Sequence, residues 1–355
     1  MVQEMALSEL DFRLVDGFQR DLPLTTRPYA EIGERLGVAE WTVISRLARL
    51  SQAGFVSRVG AVFRPHSIGA SILAAVAAEP NELERVAALV NAYPEVNHNY
   101  EREHRFNLWF VVTAADTAQV ETVLDDIERR TPLQVLRLPL LQDYHIDLGF
   151  SLRGERKTST STTAGLTSPC PLGAEDRRLV RVLESGLPLT SRPYRELGLQ
   201  LRRPEAEVIG ALRNWLTMGV IRRLGVIVRH HELGYRANGM VVWDLPDGEV
   251  DGVGRRLAKF PCVTLCYQRP RRLPHWRYNL FTMIHGRDRD TVRGQVAAIS
   301  HEAGLTEAPH EVLFSRRRFK QRGARYGLDV PVGGRRAAAE PNQARVGGLA
   351  HAVSY

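Results

Sequence analysis

Cysteine is scarce in this 355-residue chain: Cys170, Cys262 and Cys266 are an odd number and too few to frame a disulfide-stapled fold. Cys262 and Cys266 stand four apart in a strand-like pattern, which does not suit zinc, and no metal site is expected. No run approaches the ~18 consecutive apolar residues of a membrane helix, so no membrane partner is expected. The first residues reach Glu4 and Glu9 without a basic, then apolar, then small-residue leader, so the expected location is the cytoplasm. No glycine-rich phosphate loop appears, and Ser159 to Thr163 falls in a linker rather than near a catalytic base.

What is present is an ordinary globular composition, 44% hydrophobic and 25% charged. The net charge of +8 calls for an anionic partner, either nucleic acid or a small polycarboxylate, since guanidinium forks pair with both. Part of the excess sits in stretches that read as unstructured, at Arg153, Arg156, Lys157, Arg335, Arg336 and Arg345.

The chain repeats itself. Leu22-Pro23-Leu24-Thr25-Thr26-Arg27-Pro28-Tyr29 returns as Leu187-Pro188-Leu189-Thr190-Ser191-Arg192-Pro193-Tyr194. The same register then matches Gly54 with Gly219, Arg58 with Arg223, Gly60 with Gly225 and His66 with His231, without a gap. Each copy opens with three helical patterns, in the first copy at 11–18, 29–36 and 40–53, and then a wing-like alternation at 55–63. A strand, helix, hairpin, helix and strand follow, at 71–78, 82–92, 96–103 with 107–113, 116–129 and 133–146, and the second copy keeps that order to 319. The fold class read from this is α+β, a tandem repeat of winged helix-turn-helix and ferredoxin-like βαββαβ units. The expected domains are 8–66 and 67–150, a Ser/Thr/Gly/Pro-rich linker at 151–174, then 175–231 and 232–325, and a disordered tail at 326–355. The two halves are expected to pair with each other, and a homodimer is open.

Arg46-Leu47-Ala48-Arg49-Leu50 followed by Gly54-Phe55-Val56 resembles the third-helix-to-wing passage of leucine-responsive regulators, and the βαββαβ unit resembles their ligand-sensing domain. That resemblance covers nearly all of both halves and implies a fold more than a function. The start of the third helix should meet the major groove in such proteins. Here it reads Val38-Ala39-Glu40-Trp41 and Arg203-Pro204-Glu205-Ala206-Glu207, acidic residues facing what would be a phosphate wall, so nucleic acid is not the expected partner.

The residues with chemical potential lie in the hairpins. In Val96-Asn97-His98-Asn99-Tyr100-Glu101-Arg102-Glu103-His104, strand alternation puts His98, Tyr100, Arg102 and His104 on one side. The second copy has Leu265, Tyr267 and Arg269 at the first three of those positions. It then adds Pro270-Arg271-Arg272-Leu273-Pro274-His275-Trp276-Arg277-Tyr278, an enlarged basic and aromatic tip. Both copies rejoin at Asn107-Leu108-Trp109 and Asn279-Leu280-Phe281. Convergent titratable groups of this kind mark a site, and they are expected in one crevice where the halves meet.

These strings resemble the two members of the siroheme decarboxylase pair, a family that occurs as two subunits or as one fused chain. The resemblance implies removal of two acetate carboxyls from siroheme to give didecarboxysiroheme, in heme d1 biosynthesis or an alternative heme route. For that reaction His98, His104 and His275 are the candidate proton donors, with Tyr100 beside them. Arg102, Arg269, Arg271 and Arg272 would clamp carboxylates, and Tyr267, Trp109, Trp276, Tyr278, Asn107 and Asn279 would line or hold the macrocycle. No cofactor is expected, because the iron arrives with the substrate. The alternatives are a DNA-binding regulator with a small-ligand or heme-sensing domain, and a heme-binding carrier without turnover.

Overall fold

A computed structural model describes residues 7–64, 67–146, 172–228 and 237–326. His66, His230, His231, most of the expected linker and the tail beyond 326 lie outside the described residues.

The first half opens with α1 (Glu9–Gly17), α2 (Pro28–Leu36) and α3 (Glu40–Gln52). Ser8 and Asp11 close a reciprocal capping box on α1, and Pro28 sits at the first position of α2, where its missing N–H costs nothing. Gly37 ends α2 at φ 72°, a conformation that favours glycine. Gly33 has a different reason: a Cβ there would lie 2.5 Å from the Val38 carbonyl, and one at the equivalent Gly198 would lie 2.3 Å from that of Arg203. The tight helix-turn-helix corner therefore demands glycine in both halves. The second half repeats the motif as α6 (Ala174–Glu184), α7 (Pro193–Leu201) and α8 (Glu205–Thr217).

The two helical triads are one body. Leu47, Leu50, Leu179, Leu183, Leu212 and Trp215 belong to a single buried cluster, and each such side chain contributes roughly 1.5–3 kcal/mol by leaving water. The Tyr29 hydroxyl donates to the Pro188 carbonyl at 3.2 Å, and that of Tyr194 to Pro23 at 3.1 Å. The repeated Leu-Pro-Leu string is thus what each half offers to the tyrosine of the other. The expected wings are also shared: β1 (Val56–Phe63) and β7 (Ile221–Val228) pair antiparallel with Gly60 opposite Gly225, so one ribbon spans both halves.

Behind the helices, half one continues with β2 (Ala70–Val76), α4 (Leu83–Ala92), β3 (Val96–Arg102), β4 (Leu108–Ala114), α5 (Thr117–Arg130), β5 (Leu136–Pro139) and β6 (Gln142–Ile146). Half two supplies β8 (Ala237–Trp243), α9 (Val250–Leu257), β9 (Val263–Gln268), β10 (Leu280–Gly286), α10 (Arg289–Glu302) and β11 (His310–Gln321). The strand order is β5-β2-β4-β3-β11-β8-β10-β9-β6. The single strand expected over 133–146 is split: β5 pairs with β2 of its own half, while β6 pairs with β9 of the other. β11 does the same in one piece, joining β8 through His310 to Phe314 and β3 through Ser315 to Gln321. Because β5 and β6 are parts of one segment, the order closes on itself as two facing sheets.

Strand alternation sorts the side chains. Leu108, Phe110 and Val112 face α4 and α5, and Leu280 and Ile284 face α9 and α10. Leu73, Ala75, Trp109, Met240, Val242, Phe281 and Leu313 meet in the space between the sheets. The expected tail begins one residue too early: Tyr326 is buried, packs edge-on against Phe63 and takes the Glu184 carboxylate on its backbone N–H at 2.8 Å. Leu172, assigned to the linker, is buried in the helical core. Among the described residues no helix is long and apolar enough to cross a membrane.

Candidate active site

On β3, Asn99 points outward and its amide donates to Asn91 of α4 at 3.0 Å, which turns His98, Tyr100 and Arg102 toward the opposite sheet. The His98 and Tyr100 rings stack at 6.3 Å with planes 14° apart, and the Arg102 guanidinium lies 5.8 Å from the Tyr100 ring. Arg102 is buried and crosses to half two, donating to the Leu313 carbonyl at 2.8 Å and to the Asn238 side-chain oxygen at 3.3 Å. Arg269 mirrors it: its guanidinium lies 4.6 Å from the Tyr267 ring and donates to the Leu138 carbonyl of half one. Among the described residues no Asp or Glu pairs with either arginine. Burial pushes the pKa of Arg102 down to about 10 and lowers that of Arg269, the expected response of a cation without a counter-ion. Among the described residues the Arg269 Nε has no hydrogen-bond partner.

Imidazoles stand beside these cations. Burial, and then the charge of Arg58 on β1, pushes the His98 pKa down to about 4. The second is one that sequence reading missed. His285 on β10 is pushed down to about 4 by burial and then by Arg102. Its partners are Asn238 at 3.2 Å and Thr264 at 3.2 Å. In sequence His285 sits in an apolar strand far from the two hairpin tips, and only the pairing of β10 with β8 brings it to Asn238 and so to Arg102.

His104 does not continue the row. β3 ends at Arg102, and the turn carries His104 over Phe106 and edge-on to Trp276 at 5.4 Å. Its Nδ1 accepts from the Phe106 backbone at 2.9 Å, and its Nε2 lies 3.7 Å from Glu311. Burial holds the ring below its ordinary range against the pull of Glu311. Glu311 also accepts from the Tyr278 hydroxyl, another contact invisible in the sequence. Trp276 lies 5.2 Å from Trp109, 5.0 Å from Tyr278 and 5.9 Å from Phe281. These aromatics, expected as open walls, fill one another's space.

The remaining expectations separate further. His275 and Arg272 are exposed at the long hairpin tip, and Arg271 is held by Asp244 and Asp247. Asn107 clasps Ala78 with both ends of its amide, at 2.8 and 2.9 Å, and Asn279 does the same to Leu245, so both anchor backbone where a substrate contact was expected. A groove of about 610 Å³ runs beside the tip, bordered by Phe106, Leu136, Arg137, Arg272 and His275. The expected single crevice is thus three neighbouring groups: the inward row with Arg102, Arg269 and their histidines, the aromatic cluster with His104, and the groove with His275.

The third-helix acids have local partners. Glu40 pairs with Arg27 and accepts from Ser191 of the other half, while Glu205 pairs with Arg192. Arg49 and Arg46 reach the buried Asp11, at 2.5 and 3.5 Å. These third-helix charges are thus engaged within the protein. Cys262 and Cys266 are free thiols, and among the described residues no His, Cys, Asp and Glu gather as a metal site.

Comparison with known proteins agrees with this architecture. A model of the AsnC-like ligand binding domain matches residues 68–145 and 232–320, and one of the siroheme decarboxylase NirDL-like HTH domain matches 11–56 and 176–222. The siroheme decarboxylase NirDL subunit of Paracoccus denitrificans is 48% identical over 324 residues, covering 90% of this chain and 98% of that one. A siroheme decarboxylase of Hydrogenobacter thermophilus is 32% identical over 313 residues, covering 87% and 92%. The crystal structure of the siroheme decarboxylase NirDL in co-complex with an iron-uroporphyrin III analogue matches at a TM-score of 0.66 and 28% identity, over 90% of this chain and 93% of that one. Duplicated helical triads, duplicated sheets and a match running nearly end to end mean that the chain belongs to the siroheme decarboxylase family, in its fused form.

Proposed function

We propose that this protein is a siroheme decarboxylase, a carboxy-lyase that removes two acetate carboxyls to give didecarboxysiroheme for heme d1 or an alternative heme. The observation that carries the reading is the pair Arg102 and Arg269, two guanidiniums between the sheets with carbonyl partners and, among the described residues, no acid. Burying an unpaired charge is costly, and a carboxylate-bearing ligand supplies the missing anions. In this reading the arginines clamp carboxylates that the substrate keeps. A carboxylate that is to leave gains reactivity away from such donors, against apolar wall.

Each loss converts R–CH2–COO⁻ and a proton to R–CH3 and carbon dioxide. The C–C bond breaks, its electron pair passes to the carbon and the conjugated ring, and the proton quenches it. His98 is the assigned donor in half one, with His104 and His275 as the other imidazoles near the halves' junction. His98 is neutral in the free protein. An anionic ligand offsets the charge of Arg58, the lesser of the two causes after burial, and so favours the protonated imidazole that an acid needs. Tyr100 orients His98 by stacking, and Tyr267 supports Arg269. No cofactor takes part, and iron enters with the substrate. We place the enzyme in the cytoplasm, in keeping with its free thiols.

The test is anaerobic incubation of the full chain with siroheme, followed by mass spectrometry. The expected product is lighter by two carbon dioxide units. Siroheme recovered unchanged after binding would refute turnover and leave the carrier reading.

A further inference from the structure

Simple alternation along β11 would put Ser315, Arg317, Phe319 and Gln321 on one face and leave Arg318 on the other. The pairing overrules it. β11 slips against β3 twice, between Ser315 and Arg317 and between Arg318 and Lys320, so Arg316 and Phe319 are each an extra residue. After these two bulges Ser315 stands opposite Arg102, Arg318 opposite Tyr100 and Gln321 opposite His98. Opposite residues share a face, so this row of three looks into the space between the sheets. Their neighbours turn the other way. Arg317 pairs with Glu84 of α4, Phe319 packs on the core beneath the helices, and Lys320 donates to the Asn91 and Tyr93 carbonyls at 2.6 and 2.9 Å.

The inward row is polar. Arg318 donates to the Gln321 side-chain oxygen at 3.0 Å and is itself exposed. The Ser315 hydroxyl is shut from solvent and has no hydrogen-bond partner among the described residues. Burial raises the Tyr100 pKa while the charges of Arg102 and then Arg318 pull it back, so both guanidiniums lie close to that phenol.

Half one returns the strand exchange through β6, which pairs with β9. There Asp143 stands opposite Tyr267 and Ile146 opposite Leu265, with a slip between Asp143 and His145 matching the second one on β11. The tyrosine and the inward arginine of the neighbouring strand are common to both sides. Around them Arg318 is replaced by Asp143, Gln321 by Ile146 and His98 by Leu265. Asp143 is tied to Arg222 at 2.6 Å. One side is furnished for an anion, and its mirror is acidic and apolar.

We infer that Arg318 holds a carboxylate that the tetrapyrrole keeps, so that two guanidiniums grip the macrocycle on the β3–β11 side and one on the β9–β6 side. The inference rests on the decarboxylase reading above and adds to it a residue that orients the substrate. The guanidinium exchanges its contact with Gln321 for two parallel N–H···O bonds to the carboxylate. Ser315 supplies a hydroxyl at the Arg102 end of the same row. An uneven clamp of this kind distinguishes one edge of the macrocycle from the other.

The variants for the test are Arg318→Asp, the residue the mirror position holds, Arg318→Lys, which keeps the charge without the fork, and Arg317→Gln as a control on the helix face. Each full-length protein is titrated with iron-uroporphyrin III by absorbance and unfolded in urea. Arg318→Asp should weaken binding about tenfold or more and Arg318→Lys by less, with the urea midpoint unmoved. Arg317→Gln should bind within about twofold of wild type. In the siroheme assay Arg318→Asp should raise KM by a similar factor and leave kcat within about threefold, because the carboxylate it holds does not react. Wild-type affinity in Arg318→Asp, or an equal loss in Arg317→Gln, would overturn the assignment. The titration needs no turnover, so a wild type that binds iron-uroporphyrin III but releases no carbon dioxide from siroheme counts against the proposed function alone.

Discussion

Acidification should destabilise this protein through two desolvated imidazoles, and the size of the effect follows from their positions. His98 and His285 each have a folded pKa of about 4 against an ordinary 6.5. A depressed histidine favours the folded state above pH 6.5, where both states are neutral. That advantage is lost as pH falls from 6.5 toward 4, because the unfolded chain binds the proton first. Between pH 7 and pH 5 each imidazole costs about 2 kcal/mol, and the pair about 4 kcal/mol, at 1.36 kcal/mol per pKa unit. The lowered carboxylates Asp11, Glu103, Asp244 and Asp288 titrate below this window and do not mask it. The assay is urea unfolding of the ligand-free protein at pH 7, 6 and 5, alongside a His98→Leu, His285→Thr double variant, each half taking the residue of the other. The wild type should lose about 4 kcal/mol more than the double variant over that range. Parallel pH dependences for the two proteins would show that neither ring is held neutral by the fold, and the reasoning about their resting state would fail.

Three further outcomes are expected. Arg102→Met and Arg269→Met should leave the urea midpoint unchanged or raised, since each removes a desolvated cation without a carboxylate partner among the described residues, while binding of iron-uroporphyrin III measured by absorbance titration weakens about tenfold or more. Trp276→Ala, which empties the centre of the aromatic cluster, should cost about 3–5 kcal/mol in urea unfolding. Asn107→Ala strands both the N–H and the carbonyl of Ala78 and should cost about 1–3 kcal/mol, with no change in tetrapyrrole affinity by the same titration.

The duplication spreads the candidate residues over both halves. Half one brings His98 and Arg102, and half two brings Arg269, His285 and the long tip. Arg102 and Arg269 each cross to the other half for their carbonyl partner, so neither half alone satisfies its inward guanidinium. The helical triads share one buried core and so join the two halves.

Within one half, the sequence by itself determined a great deal. Helical periodicity, the capping of α1 by Ser8, the glycines at the helix-turn corner and the βαββαβ order are all encoded in neighbours along the chain. Alternation along one strand was enough to put His98, Tyr100 and Arg102 on a common face. It failed one step later at His104, because alternation ends where the turn begins. The exchange of β6 and the far end of β11, the joint ribbon of β1 and β7, and the meeting of His285 with Arg102 through Asn238 were decided only in the tertiary structure. Those pairings join residues more than a hundred positions apart. No local propensity chooses between a strand edge in the same half and an equivalent edge in the other. That choice is made by burying both inner faces at once, against each other.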